Sequence, residues 1–289
     1  MSRFRIAAAS VFFLTTALSC TKQGGTDADE PTAEEPGVGG SEGAGKDQTA
    51  RDAIEERTWL ESDCPWPADG RAALSLTYDD GMSTQLSKAA PALREANLRA
   101  TFFPNKVNND QPWKDLLSEG HELGAHTQFH PCPAAYGTPS DPLETYSLES
   151  MAEDLDADVA QLRRLGAREP FSFAYPCGVT WVGEEHDSYA ALVNERFAAA
   201  RMAGPASTTP EVDLQAIPAN FSLKTAEQFI AQVDRTVERG EWLVLGFHGI
   251  GGQWSITDEE AHAALVKNLS ERSDIWIAPL GEVAACVAE

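Results

Sequence analysis

The sequence predicts an α/β fold, a (β/α) barrel of seven to eight parallel strands. Three observations predict it. Short apolar runs alternate with longer amphipathic stretches from residue 71 to the C-terminal region. The amphipathic stretches carry helix-cap signals at their ends. Acidic residues and histidines gather just past several of the predicted strands, at the end where parallel barrels hold their chemistry.

The strands are read at 73–78 (ALSLTY), 100–103 (ATFF), 122–126 (ELGAH), 171–176 (FSFAYP), 197–202 (FAAARM), 216–221 (AIPANF), 242–248 (WLVLGFH) and 275–280 (IWIAPL). Helices lie between them. The first, SKAAPALREANL, ends at Asn97 near a strand start. The second opens on Ser147-x-x-Ser150 and stops at Gly166, and the third stops at Gly240, a residue suited to a helix C-terminus. The fourth is expected to start at Thr257, with Glu260 three residues on in capping-box spacing. Strand–helix alternation implies parallel strands with crossover helices. An open doubly wound sheet is the competing arrangement. Neither GxGxxG nor GxxxxGK[ST] follows the first strand, so a nucleotide site is unsupported.

The N-terminal segment reads as a targeting signal. Arg3 and Arg5 precede a short apolar run that ends at Cys20. The stretch TALSC resembles a bacterial lipobox, which assigns residues 1–19 to a signal peptide and Cys20 to lipidation. Residues 20–56 then form an acidic tether, poor in large apolar side chains and unable to offset its chain entropy by burial. The catalytic domain is expected over 57–289. The chain carries a formal charge of -23; the leader and tether contribute +2 and -7, leaving -18 for the domain. Nucleic acid is an unsuitable partner for such a surface. Membrane contact is expected only through the lipid on Cys20. The chain is read as a monomer, exported and anchored, facing the periplasm or the cell surface.

Export also bears on the other four cysteines, an even number in an oxidising compartment. Three connectivities are open. Cys64 and Cys286 bracket the domain, and Cys132 and Cys177 each follow a proline in a loop, so 64–286 with 132–177 is favoured. A thiolate metal site is the alternative, but no CxxC pair occurs.

The strand ends carry the chemistry. Asp79 and Asp80 follow the first strand. His126 and His130 come at the end of the third and in the loop beyond. The turn YPCG follows the fourth, and His248 ends the seventh. Two imidazoles and one carboxylate form a three-ligand zinc site that leaves positions open. A second carboxylate can take a proton from water, and a further histidine can return one to a leaving group. His121, His186 and His262 are read as structural or solvated.

The segments LSLTYDDG, HELGAHTQFHP, FSFAYPCG and WLVLGFHG occur in the order and approximate spacing of the polysaccharide deacetylase family. This is carbohydrate esterase family 4, with its NodB homology domain, and the resemblance covers most of residues 71–285. It implies a distorted (β/α) barrel and metal-dependent removal of acetyl groups from a polysaccharide or oligosaccharide. Carried over by position, Asp79 resembles the catalytic base, and Asp80, His126 and His130 the ligands of Zn²⁺ or another divalent metal such as Co²⁺. His248 resembles the catalytic acid, the Cys177 N–H an oxyanion donor, and Leu245 a wall of the acetyl pocket. One departure stands out. Many members carry an arginine beside the base on the fourth strand, where this chain has Ala174; Arg201 on the next strand is a candidate substitute. Tyr136, Trp181 and Trp254 are candidate sugar platforms, and the 132–147 insertion a rim over the groove. Hydrolysis of small cyclic amides and a non-catalytic carbohydrate-binding lipoprotein are the alternatives.

Overall fold

The structure, a computed structural model, describes residues 64–67, 71–137, 140–204, 207–252 and 257–288. The leader, Cys20, the tether and Trp254 lie outside the described residues. Ala53–Glu289 makes one compact unit.

The fold is organised around β1 (Ala72–Asp79), whose eight residues are all buried. Side chains alternate along a strand. Leu74, Leu76 and Tyr78 enter the layer beneath the helices, whereas Ala73 belongs to the barrel interior. Asp79 shares the parity of Ala73, so the carboxylate arrives at the mouth of the barrel.

One edge of β1 pairs in parallel with β9 (Trp242–Phe247), from Ala73↔Trp242 to Tyr78↔Phe247. The other edge is divided. Ala72–Leu74 pair with β10 (Ile275–Ile277), and Thr77–Asp79 pair with β2 (Thr101–Phe103). Beyond β2 comes β3 (Glu122–Leu123), and beyond β9 come β8 (Ile217–Asn220), β7 (Ala199–Ala203) and β4 (Ser172–Ala174). A parallel bridge between Ala125 and Phe173 brings the two ends of this path together. The result is a nearly closed barrel of seven parallel strands, with β10 added at the base of β1. Sequential order and near-closure rule out the open doubly wound sheet.

All eight expected strands form, several of them shorter at the C-terminal end. β3 stops at Leu123, after which the Gly124 N–H donates to Phe102 and the Ala125 N–H turns to Ser172 of β4; an added Cβ at Gly124 would lie 2.3 Å from the Phe103 ring. β10 stops at Ile277 because Leu280 already begins a helix. A small antiparallel hairpin, β5 (Trp181–Val182) with β6 (Asp187–Ser188), was not expected.

The helices are α1 (Ala90–Glu95, after a π turn at Gln85–Ala89), α2 (Gln111–Ser118), α3 (Leu148–Leu165), α4 (Ala190–Asn194), α5 (Ala226–Arg239), α6 (Glu259–Ser270) and α7 (Leu280–Ala288). Of these, α2, α4 and α7 were not read from the sequence. Ser147 with Ser150 caps α3 in a reciprocal box, Thr225 with Gln228 does the same for α5, and Gly166 and Gly240 end these helices at φ 86° and 64°. The expectation for α6 is corrected: Asp258 caps it, not Thr257. The Asp258 carboxylate accepts the N–H groups of Glu260 and Ala261, and a negative charge there also suits the helix dipole.

Apolar packing forms two layers. Leu243, Leu245 and Phe247 of β9 join Phe229 and Val233 of α5 and Leu265 and Leu269 of α6 outside the barrel. Inside, small side chains such as Ala174, Ala199 and Ala219 surround Trp242 and Trp66. The Trp66 indole donates to the Gly240 carbonyl at 2.8 Å, and the Cys64–Cys286 disulfide ties this entry segment to α7. No helix of the described residues is long and apolar enough to cross a membrane.

Candidate active site

The barrel mouth gathers what the strand ends deliver. His126 Nε2 and His130 Nε2 lie 3.4 and 3.3 Å from Asp80 Oδ1, and His248 Nε2 lies 3.7 Å from Asp80 Oδ2. One ligand atom from each of Asp80, His126 and His130 falls within 4.8 Å of the others. Asp80 Oδ1 is buried without a hydrogen-bond partner. An orphaned carboxylate oxygen facing two imidazole nitrogens fits a divalent cation, which would satisfy all three. His130, Cys132 and Cys177 are also mutually close, but the two sulfurs are joined in a disulfide and offer no thiolate.

The donors are held from behind. His126 Nδ1 lies 2.8 Å from the Ala174 carbonyl, so it carries the proton and leaves Nε2 as a lone pair toward Asp80. The His126 N–H donates to Asp158 at 2.7 Å, and the N–H groups of Gln128 and Phe129 donate to Asp154 at 2.6 and 3.2 Å. Asp154, Asp158 and Gln161 sit at i, i+4 and i+7 of α3 and are buried among its apolar positions. Sequence reasoning missed them; the available signal was acids placed on a helix's core stripe. Burial pushes the Asp158 carboxyl up to about 7.

Backbone strain marks the same place. Asp80, Thr127, His130 and Cys177 adopt left-handed φ of 74°, 58°, 52° and 54° without being glycine. Such residues persist where the surroundings over-determine them. The His130 N–H donates to Thr127 Oγ1 at 3.0 Å, and the Cys132–Cys177 disulfide fastens the His130 loop to the turn after β4. Cys132 Sγ lies 3.7 Å from His130 Nδ1.

Burial raises the Asp80 carboxyl, but the polar contact with His126 and the charges of His126, His130 and His248 outweigh it, bringing it down to about 2. Burial and the neighbouring His126 bring His130 down to about 4, so it is a neutral imidazole near neutral pH. Burial also lowers His248.

Asp79 is buried and bonded by the guanidinium of Arg201, itself fully buried between the rings of Phe103 and Phe221 at 4.8 and 5.1 Å. Burial lowers Arg201 to about 9, which leaves it charged at neutral pH. Phe221 fits because β9 has Gly246 there; an added Cβ would lie 2.2 Å from its ring. Gln85, also missed, is fully buried and its amide donates to the carbonyls of Asp79 and His248, the latter at 3.1 Å.

Other expected residues are placed as follows. Leu245 is corrected: it is fully buried in the layer between barrel and helices, on the strand face opposite Val244 and Gly246, and lines no pocket at the mouth. Tyr136 is 68% exposed on the loop after His130. Trp181 is half-buried and stacks on His186 at 3.7 Å in the β5–β6 hairpin. Phe129, beside His130 and 64% exposed, was not singled out in the sequence. His121 and His262 are buried and structural: His121 Nδ1 accepts the Ala100 N–H, and His262 Nε2 pairs with the Tyr78 hydroxyl at 2.8 Å.

Comparison with known proteins gives a family match over part of the chain and a shared fold. Residues 68–192 match the polysaccharide deacetylase family model. A stretch of 78 residues is 36% identical to YheN of Bacillus subtilis (strain 168), which is named as a polysaccharide deacetylase, and covers 26% of this chain and 28% of that protein. A stretch of 66 residues is 35% identical to a chitin deacetylase of Colletotrichum lindemuthianum, covering 20% of this chain and 27% of that protein. The matched stretches thus span little more than a quarter of either relative. A crystal structure from Pseudomonas aeruginosa PAO1, also named as a polysaccharide deacetylase, superposes with TM-score 0.56 at 15% identity over 80% of this chain and 97% of that one. From residue 68 to residue 192 the chain is similar to the polysaccharide deacetylase family, and its described residues have the barrel fold of that solved structure.

Proposed function

We propose that the protein is a metal-dependent deacetylase that hydrolyses acetyl groups, on nitrogen or oxygen, from an envelope or extracellular polysaccharide. The convergence of Asp80, His126 and His130 with Asp79 on one side and His248 on the other carries this reading. The family match and the names of the two relatives support it.

Asp80, His126 and His130 would hold Zn²⁺ or Co²⁺, which in such a donor set supplies Lewis acidity to the acetyl carbonyl and acidifies water. Asp79 takes the proton of the attacking water; the buried Arg201 keeps it ionised until then. The Cys177 N–H donates to the oxygen that gains charge. His248 gives a proton to the departing amine or alkoxide. Acetate and the deacetylated sugar leave.

The same reading places the protein at the cell envelope, anchored through a lipid on Cys20. The short apolar leader, the acidic tether and the two disulfides support an oxidising, exported setting. Acetate release from chitin oligomers, acetylated xylan and peptidoglycan, with and without added zinc, tests the function. Zinc-dependent release from any of them is expected. No acetate from all three would leave a cyclic-amide hydrolase or a carbohydrate binder.

A further inference from the structure

A groove of about 260 Å³ is lined by Asp80 and by a wall of Asn105, Lys106, Asn108 and Asn109, with apolar side chains such as Trp113 beside them. The wall is held firmly. Gln161 of α3 accepts the Val107 N–H at 2.7 Å and donates to the Asn105 carbonyl at 2.7 Å. The Gln128 amide reaches Gln161 at 3.5 Å, so the loop that presents exposed Phe129 is joined to the same support. Asn108 and Asn109 on the same wall are exposed. Lys106 is exposed and makes no ion pair or hydrogen bond among the described residues. That is unexpected in a chain with 45 acidic and 22 basic residues. Asp110, close to it in sequence, is already engaged by Arg164 and by Lys114 at 3.7 Å. The wall therefore presents an unneutralised cation and exposed amide groups beside Asp80.

We propose that this groove binds a sugar ring bearing a carboxylate, adjacent in the glycan to the acetylated ring. The proposal rests on the deacetylase reading and names its substrate class more closely. Lys106 would pair with the carboxylate, and the exposed amides of Asn108 and Asn109 would hydrogen-bond ring hydroxyls. The protein's net charge of -23 does not oppose this. Screening limits the field of the distant acids to about 8 Å at physiological salt, whereas the lysine acts at contact. Dense polyanions would still be repelled, so the fitting substrate carries isolated carboxylates. Because Lys106 is exposed, the preference is modest, up to about five-fold.

The test compares N-acetylchitotetraose with the same oligomer carrying a C6 carboxylate on one ring, using the zinc-loaded full chain. The readouts are the ratio of kcat/KM values and, independently of turnover, the ratio of Kd values by titration calorimetry. Wild type should favour the carboxylated oligomer by about two- to five-fold at physiological salt. Lys106→Gln should bring both ratios near one, Lys106→Glu should invert them, and Lys106→Arg should retain them. Equal handling of the two oligomers by wild type, or a preference that survives Lys106→Glu, would overturn the inference. If neither oligomer is hydrolysed, acetate release from acetylated xylan and peptidoglycan decides the deacetylase reading, and the Kd ratios still decide the carboxylate site.

Discussion

Ala174 of β4 and Arg201 of β7 are register partners on neighbouring parallel strands, and Arg201, one strand over, supplies the guanidinium that binds Asp79. Register partners point to the same face, so an arginine at either position can reach the barrel interior. Phe103 and Phe221 flank it from both sides and exclude water.

The pair is buried on both sides, so removing one partner strands the other charge. Arg201→Met should cost about 3–5 kcal/mol of stability, read as a lower urea midpoint. Asp79→Asn with Arg201→Met should cost clearly less than the two single changes summed. Additive costs would mean the two side chains are not coupled.

The base and the ligands should separate experimentally. Asp79→Asn should abolish acetate release while the purified protein still carries about one zinc per chain. His126→Ala or His130→Ala should lose both. Zinc by elemental analysis beside a turnover assay decides the matter; near-normal activity in Asp79→Asn would remove Asp79 from the role of base.

The Cys132–Cys177 disulfide should act on the metal site through His130. Cys132→Ser with Cys177→Ser leaves all three metal donors present but frees the two loops. Zinc affinity should fall by about ten-fold or more, as when an outer support of a ligand is lost. Competition with a chromophoric chelator measures this. An unchanged zinc Kd would reduce the bond to a surface staple.

His262 gives a pH prediction away from the active site. The unfolded imidazole binds its proton near 6.5, but burial beneath α6 brings the folded one down to about 4. The folded pKa is depressed, so this group's contribution to stability is full above pH 6.5. It declines as pH falls below that value and is gone below about 4. The shift corresponds to about 3 kcal/mol. His262→Gln should therefore lose less stability than wild type between about pH 7 and about pH 4.5. Urea unfolding at the two pH values reads it, and the other buried imidazoles cancel in the comparison. Parallel stability curves for the two proteins would exclude His262 as a source of acid sensitivity.

The sequence by itself determined which chemical groups are present and which strands they follow. Asp79, Asp80, His126, His130 and His248 were legible because strand ends are local features, set by apolar runs and the loops after them. The caps at Ser147 and Thr225 were legible for the same reason. Leu245 was misplaced by the family resemblance, and WLVLGFH could not correct it; a strand buried on both faces has no alternation to show which side chains point inward. Gln85, Asp154, Asp158 and Gln161 were hidden because a polar residue in a buried position signals nothing until its partner is brought beside it. The tertiary structure alone decided that Arg201 reaches Asp79, that Cys132 meets Cys177, and that Gln85 links the carbonyls of Asp79 and His248. These contacts span 122, 45 and up to 163 residues of chain. They exist because the barrel closes in one register, a long-range condition that no local stretch of sequence encodes.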